Sequence, residues 1–360
     1  MNKNRQCRGC GATLQSENPN AVGYLPEHLL SEPGKELICQ RCFRIRHYGQ
    51  HQEYQGISDA EQVIAQSMNW AQGTILILDL MDFEASIPRN IDLFTGKQNI
   101  VVALNKVDLL PPKTPVLEAR DWALRRLRAL NIKAEVVPIS SLSGFGIKDL
   151  LAALYESSAR RWLVCGVTNV GKSTLITKIL QSQGKKQGLT PTTARFPGTT
   201  VACTRWAIDQ GIILSDSPGL TPQGRLTDFV CMDCAVKLIP SQRLNVSVYN
   251  LKSQGALVVP GLAAFRPKQD GALIIGFTAS QVKWQRANIS KLDSWLTQSC
   301  AECRVTKWDR VDVELKPHQD LYIHGLGWIS VRHHSTAGEL IIPHGVDFTV
   351  RPNLIGGKLE

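Results

Sequence analysis

No stretch of the 360 residues is apolar for long enough to cross a bilayer. The longest runs, 73-GTILILDLM-81 and 271-GALIIGFTAS-280, fall well short of the roughly 18 to 20 residues a spanning helix needs. A membrane protein is therefore not expected. The opening residues, MNKNRQCRGCGATLQ, lack the apolar core of a secretory signal and run almost at once into a cysteine pattern that processing would destroy. A cytoplasmic protein is expected. Tandem repeats and low-complexity tracts are absent as well. Acidic residues are the minority charge, 31 against 41 Lys plus Arg, a balance of +10 that favours polyanionic partners such as RNA or DNA without naming one.

What is present is a chain of 39.8 kDa with 43% hydrophobic residues, enough to bury two or three cores. Residues 1–55 are rich in cysteine, arginine and turns, with little apolar periodicity, and a segment this short needs a metal or a neighbour to hold it folded. Residues 56–222 alternate short apolar runs (74-TILILD-79, 100-IVVALN-105, 135-EVVPIS-140, 162-WLVCG-166, 212-IILSD-216) with helical periodicity at 116–130 and 147–161. Buried strands alternating with helices predict an α/β domain built on a doubly wound, mainly parallel sheet. Beyond 223 the helical pattern thins, and strand-like pieces at 246–251, 255–259, 320–325 and 327–331 predict a mainly β domain over 223–360.

Ten cysteines, eight of them in four C-x-x-C pairs, read as metal ligands in a reducing compartment. Cys7, Cys10, Cys39 and Cys42, with 28 residues between the pairs, can supply four thiolates to one Zn²⁺. Arg5, Arg8, Arg41, Arg44, Arg46 and His47, with Phe43 and Tyr48 beside them, form a basic and aromatic surround suited to phosphates and exposed bases, or a solvated basic face. Cys231, Cys234, Cys300 and Cys303 repeat the spacing with 65 residues between pairs, and either a second zinc or structural or redox use fits them. Cys165 and Cys203 read as core or strand residues, and His333 and His334 receive no role.

The segment 166-GVTNVGKST-174 fits G-x-x-x-x-G-K-[ST] between a strand and a helix starting near 174. Gly166, Asn169, Val170, Gly171 and Thr174 would line a loop whose N–H groups face phosphate oxygens, Lys172 would bridge the β- and γ-phosphates, and Ser173 would bind Mg²⁺. At 105-NKVD-108 the Asp108 carboxylate can accept both the ring N–H and the exocyclic amine of guanine, a donor pair adenine lacks. Asn105 would tie this loop to the phosphate loop, and the Lys106 stem would lie over the base. Ser140 and Ser141 open a loop whose backbone N–H would meet the guanine carbonyl. In 216-DSPG-219, Asp216 would hold Mg²⁺ through water and Gly219 would meet the γ-phosphate; in 197-PGTT-200, Thr200 is preferred over Thr199 as a further Mg²⁺ ligand.

The order of these motifs is informative. The phosphate loop ordinarily comes first and the guanine-reading loops last; here NKVD and the serine pair precede GVTNVGKS, which precedes PGTT and DSPG. A circular permutation explains this, and a doubly wound sheet tolerates it because its natural termini lie near each other. Both switch loops then run into the C-terminal domain, which should feel the loss of the γ-phosphate. With the cysteine module, the permuted order and 324-HGLGWISV-331, residues 1 to about 353 resemble the YqeH family of bacterial circularly permuted GTPases. That resemblance implies a GTP-hydrolysing, rRNA-binding factor for assembly of the small (30S) ribosomal subunit or its precursor. Similar GTPases lacking a water-positioning Gln use an Asn of the phosphate loop to bind K⁺; Leu220 follows DSPG where Ras-like enzymes have that Gln, and Asn169 stands at the matching position. Slow hydrolysis is expected. The competing expectations are an RNA-binding module with little turnover and a GTP-driven metallochaperone.

Overall fold

The computed structural model describes residues 14–17, 24–30, 37, 59–89, 91, 99–184, 192–195, 202–220, 222, 224–298, 300, 302, 303 and 305–356. Cys7, Cys10, Cys39, Cys42, the surrounding arginines and Thr199 and Thr200 lie outside them.

Seven strands form the first sheet: β1 Gly73–Asp79, β2 Asn99–Asn105, β3 Glu135–Pro138, β4 Arg161–Cys165, β5 Thr192–Arg195, β6 Ala202–Ala207 and β7 Ile213–Asp216. Their order is β3-β2-β1-β4-β7-β6-β5. The pairs β1/β2, β2/β3, β1/β4 and β4/β7 are parallel, while β6 and β5 complete the edge antiparallel. Every residue of β1 is buried, because helices cover both faces. The strand reading from sequence holds to within two residues at each end of β1, β2, β3, β4 and β7, and β5 and β6 lie outside it.

Helix Val116–Ala129 matches its expected span. The helix expected over 147–161 stops at Glu156, and its last five residues are a turn and the start of β4. Ser157 takes an extended backbone and its Oγ accepts from the N–H of Ala159, the local hydrogen bond by which serine competes with helix. The phosphate-loop helix begins at Lys172, two residues before the expected start.

The C-terminal half is two antiparallel sheets. One contains β9 Gly255–Val259, β10 Ala263–Pro267, β12 Gln285–Asn288, β13 Trp308–Leu315 and β16 Thr336–Pro343; the other contains β8 Asn245–Leu251, β11 Ala272–Thr278, β14 Gln319–Ile323, β15 Gly327–Val331 and β17 Phe348–Pro352. The second sheet is covered on both faces along β14 and β15, whereas Val246, Val248, Leu273 and Val350 stand exposed on β8, β11 and β17. Ile274, Leu321, Ile323, Ile329 and Val331 pack with Leu257, Val259 and Phe265 of the first sheet, whereas Phe277, Tyr322 and Trp328 join the core of the α/β half. The strand period of two thus turns one set of side chains to each neighbour. Among the described residues no helix is long and apolar enough to cross a membrane.

Candidate functional site

The parallel strands β1, β2, β3, β4 and β7 end on one edge of the sheet, and each sequence motif begins where its strand stops. This is where an open α/β sheet collects its ligand-binding loops. Gly166, Asn169 and Gly171 take left-handed backbone at φ 156°, 70° and 99°, so the chain coils tightly from β4 into helix Lys172–Ser182. Asn is among the few side-chain-bearing residues that accept this region. The turn leads into a helix N-terminus, where Ser173 and Thr174 are exposed in the first turn.

Lys172 bends back over the loop, its Nζ donating to the carbonyl oxygens of Gly166 and Val167, both at 2.9 Å. Burial pulls its pKa down to about 8, against the opposing pull of Asp216. The same burial pushes Asp216, at the end of β7, up to about 6. Asp216 Oδ1 is buried with no hydrogen-bond partner. An orphaned carboxylate oxygen near a buried lysine fits a divalent cation, whose charge would satisfy it.

After Asp216 the chain passes directly over the phosphate loop. Thr168 N–H donates to the Leu220 carbonyl at 2.9 Å and Leu220 N–H to the Gly166 carbonyl at 3.3 Å. A Cβ on Gly219 would sit 2.9 Å from Thr168 Cγ2 and 3.1 Å from Lys172 Nζ, so only glycine lets this loop pass so near the lysine. Leu220, 8% exposed, belongs to the core and presents no polar group to a water.

Asn105 joins three loops. Its Nδ2 donates to the Val170 carbonyl at 2.6 Å and to Ser141 Oγ at 3.0 Å, and its Oδ1 accepts from Ser141 N–H at 2.9 Å. The tie expected between base loop and phosphate loop is present. Lys106 follows with φ 69° and pairs with Asp79, whose Oδ2 is 2.5 Å from Nζ; Asp108, half-buried, sits in the next turn. Asp79 was not singled out from sequence, although a carboxylate ending an all-apolar strand is a readable signal. The serine loop differs in detail from the expectation. Ser140 N–H donates to the Phe145 carbonyl and Ser141 N–H to Asn105, so both are engaged within the protein and Leu142 carries the next N–H in the chain.

Beside Lys106 and Asn169 a cleft continues past Asp79 to Arg225, Leu326 and Trp328, reaching the β-rich half. Arg225 Nε lies 2.6 Å from Asp82 Oδ2, and Gly325 N–H donates to Asp82 Oδ1 at 3.1 Å. Away from this edge, the sulfur atoms of Cys231, Cys234, Cys300 and Cys303 all lie within 4.8 Å of one another. Cys165 is buried in β4, as expected of a core residue.

A family model described as RsgA GTPase matches residues 89–224. The Bacillus subtilis protein YqeH is 28% identical over 364 residues, covering 97% of this chain and 99% of that protein. Mouse nitric oxide-associated protein 1 is 27% identical, covering 56% of this chain and 36% of its own. Ribosome biogenesis GTPase A of Thermotoga maritima is 28% identical over 146 residues, 41% of this chain and 48% of its own.

Proposed function

The chain is a GTPase with a circularly permuted domain of the RsgA type and resembles YqeH along nearly its whole length, and from this premise we propose that it assembles the small ribosomal subunit, binding it or its rRNA with GTP and leaving on hydrolysis. The observation that carries this reading is the Asn105 bridge, which makes the base-reading loop and the phosphate loop one unit. Asp108 then reads guanine, the Lys106 stem covers the base, and the serine loop, through Leu142 N–H, takes the guanine carbonyl. The N–H groups from Gly166 to Thr174 hold the phosphates, with Lys172 across the β- and γ-phosphates and Gly219 N–H at the γ-phosphate. Ser173, Thr200 and Asp216 are the residues to hold Mg²⁺, which when bound neutralises charge shared between the phosphates. Asn169 is the candidate K⁺ ligand; equal rates in potassium and sodium buffers would remove it from that role. Cys7, Cys10, Cys39 and Cys42 would hold zinc in the N-terminal module.

The ribosomal target rests on the family resemblance, on the name of the Thermotoga relative and on the +10 balance of charge. The buried Leu220 favours a second reading, a GTP-regulated RNA-binding module with little turnover of its own. Sedimentation of ribosomal fractions with GDP and with a non-hydrolysable GTP analogue tests the first, which expects the protein on small-subunit particles only with the analogue. Protein in the soluble fraction under both conditions rejects it. Stimulation of hydrolysis by those particles separates the first reading from the second. For the nucleotide itself, Asp108→Asn should weaken GTP binding at least a hundredfold, about 3 kcal/mol for two hydrogen bonds to a charged acceptor, and improve binding of xanthine nucleotide, whose 2-oxo group accepts from the new amide. Equal binding of ATP and GTP by the unaltered chain would defeat the assignment.

A further inference from the structure

We infer that Cys231, Cys234, Cys300 and Cys303 hold one zinc ion, and that this ion clamps the segment leaving the DSPG loop to the outer β-sheet. The first pair stands at the start of helix Met232–Leu238, on the stretch of chain that leaves β7. The second pair follows helix Leu292–Leu296 and precedes β13. Two C-x-x-C pairs distant in sequence thus meet at one point.

The geometry is that of a mononuclear tetrathiolate site. Four sulfurs at about 2.3 Å from a central zinc lie about 3.8 Å from one another at the corners of a tetrahedron. Cys231 Sγ and Cys300 Sγ are 3.8 Å apart, and all four sulfurs fall within 4.8 Å. A disulfide would need about 2.05 Å between sulfurs, and the four thiols are free. A cubane iron–sulfur cluster would hold its thiolates farther apart than this.

The surrounding backbone supports the same reading. Cys231 N–H donates to Cys303 Sγ at 3.4 Å, a bond across the two pairs that stabilises a thiolate. Cys303 N–H donates to the Cys300 carbonyl at 2.9 Å, folding the second pair into the tight turn that points both sulfurs one way. Cys300 is exposed and the other three are partly so, leaving the site open to metal. The inference is independent of the guanine-nucleotide reading, since no residue of that site takes part.

A full-length variant with Cys7→Ser and Cys10→Ser isolates the site, because any tightly held metal then belongs to the second set. Elemental analysis of this variant should find about one equivalent of zinc per chain, and cobalt substitution should give the strong visible bands of tetrahedral thiolate ligation. Adding Cys300→Ser and Cys303→Ser should remove that equivalent while binding of a fluorescent GDP analogue persists. No metal in the first variant, iron in place of zinc, or metal unchanged in the second overturns the inference. In case the combined variant does not fold, the unaltered chain supplies a second measurement. Zinc should protect these four cysteines from alkylation, and a chelator should release them together, with hydrogen exchange rising over 231–238 and 292–303. Rapid alkylation before chelation, a Cys231–Cys300 disulfide, or exchange rising instead in β1 to β4 would each reject it.

Discussion

Lys172 and Asp216 sit near each other with opposite charges, yet burial disfavours each in its charged form, taking the lysine down to about 8 and the aspartate up to about 6. Since the unfolded chain holds the lysine proton up to about pH 10.5, folding stability rises as pH climbs from 8 toward that value. For Asp216 the folded state binds its proton more tightly, so stability falls as pH rises from about 4 to 6 and the penalty is complete above that. At neutral pH both charges oppose folding, and phosphates and a divalent cation relieve them. Two outcomes follow. The Mg²⁺-dependent part of GTP affinity should weaken about tenfold per pH unit below pH 6, and Asp216→Asn should flatten that profile; parallel profiles in fluorescence titrations of the two proteins would reject the assignment. Lys172→Met removes a desolvated charge, so the ligand-free protein should melt a few degrees higher while GTP affinity falls at least a hundredfold, about 3 kcal/mol. A ligand-free protein that melts lower would show that its two carbonyl contacts outweigh the desolvation.

At the scale of loops and strands, the base loop and the phosphate loop touch most closely where Gly171 passes Asn105. Its φ of 99° already excludes most side chains, and an added Cβ would lie 2.4 Å from Asn105 Nδ2. Gly171→Ala should therefore push Asn105 off Val170 and Ser141, loosening the base loop and the phosphate loop together. GDP and GTP affinities should fall by similar factors of ten or more, about 1.4 kcal/mol for each tenfold, in equilibrium titrations; a loss confined to GTP would place the damage at the γ-phosphate instead. Much of this site was legible in the sequence, because each motif is local and each ends an apolar run whose burial dictates a strand. The serine loop was only half legible: that Ser141 N–H is turned inward depends on Asn105, distant in sequence. The second cysteine set was readable as spacing, but its convergence depends on how the outer sheet folds back. Least visible was the two-sided burial of β14, β15 and the last three residues of β11, since apolar runs such as 271-GALIIGFTAS-280 do not say which neighbour covers which face.

Over the whole molecule, the two halves meet around Arg351, a residue in no motif and fully buried. Its guanidinium carbon lies 5.0 Å from the ring centre of Trp122, 4.4 Å from that of Tyr322 and 5.2 Å from that of Trp328. Its Nη1 also pairs with Glu84 of the α/β half, and its Nε lies 3.7 Å from the fully buried Asp320. Trp122 Nε1 adds a bond to the Pro352 carbonyl at 2.9 Å. The contacts between Asp82, Arg225 and Gly325 tie the chain just past the DSPG loop to both halves. A nucleotide-driven movement of that loop is therefore opposed or transmitted by a rigid joint. Arg351→Met keeps the apolar stem among the rings but leaves the fully buried Asp320 without its cation and Glu84 with Arg126 alone, 3.3 Å away, a change of about 3 to 5 kcal/mol. Part of this should return in Arg351→Met with Asp320→Asn, where the stranded charge is removed; the excess over additivity, read from urea unfolding, measures the ion pair itself. Because Arg351 itself contacts Glu84, Asp320 and the three rings and none of the nucleotide-site residues, GDP affinity should change less than threefold, about 0.6 kcal/mol, while GTP should no longer alter the rate of proteolysis in residues 245–352. If that rate still responds to GTP as in the unaltered chain, the coupling runs through the Arg225 contacts and not through Arg351.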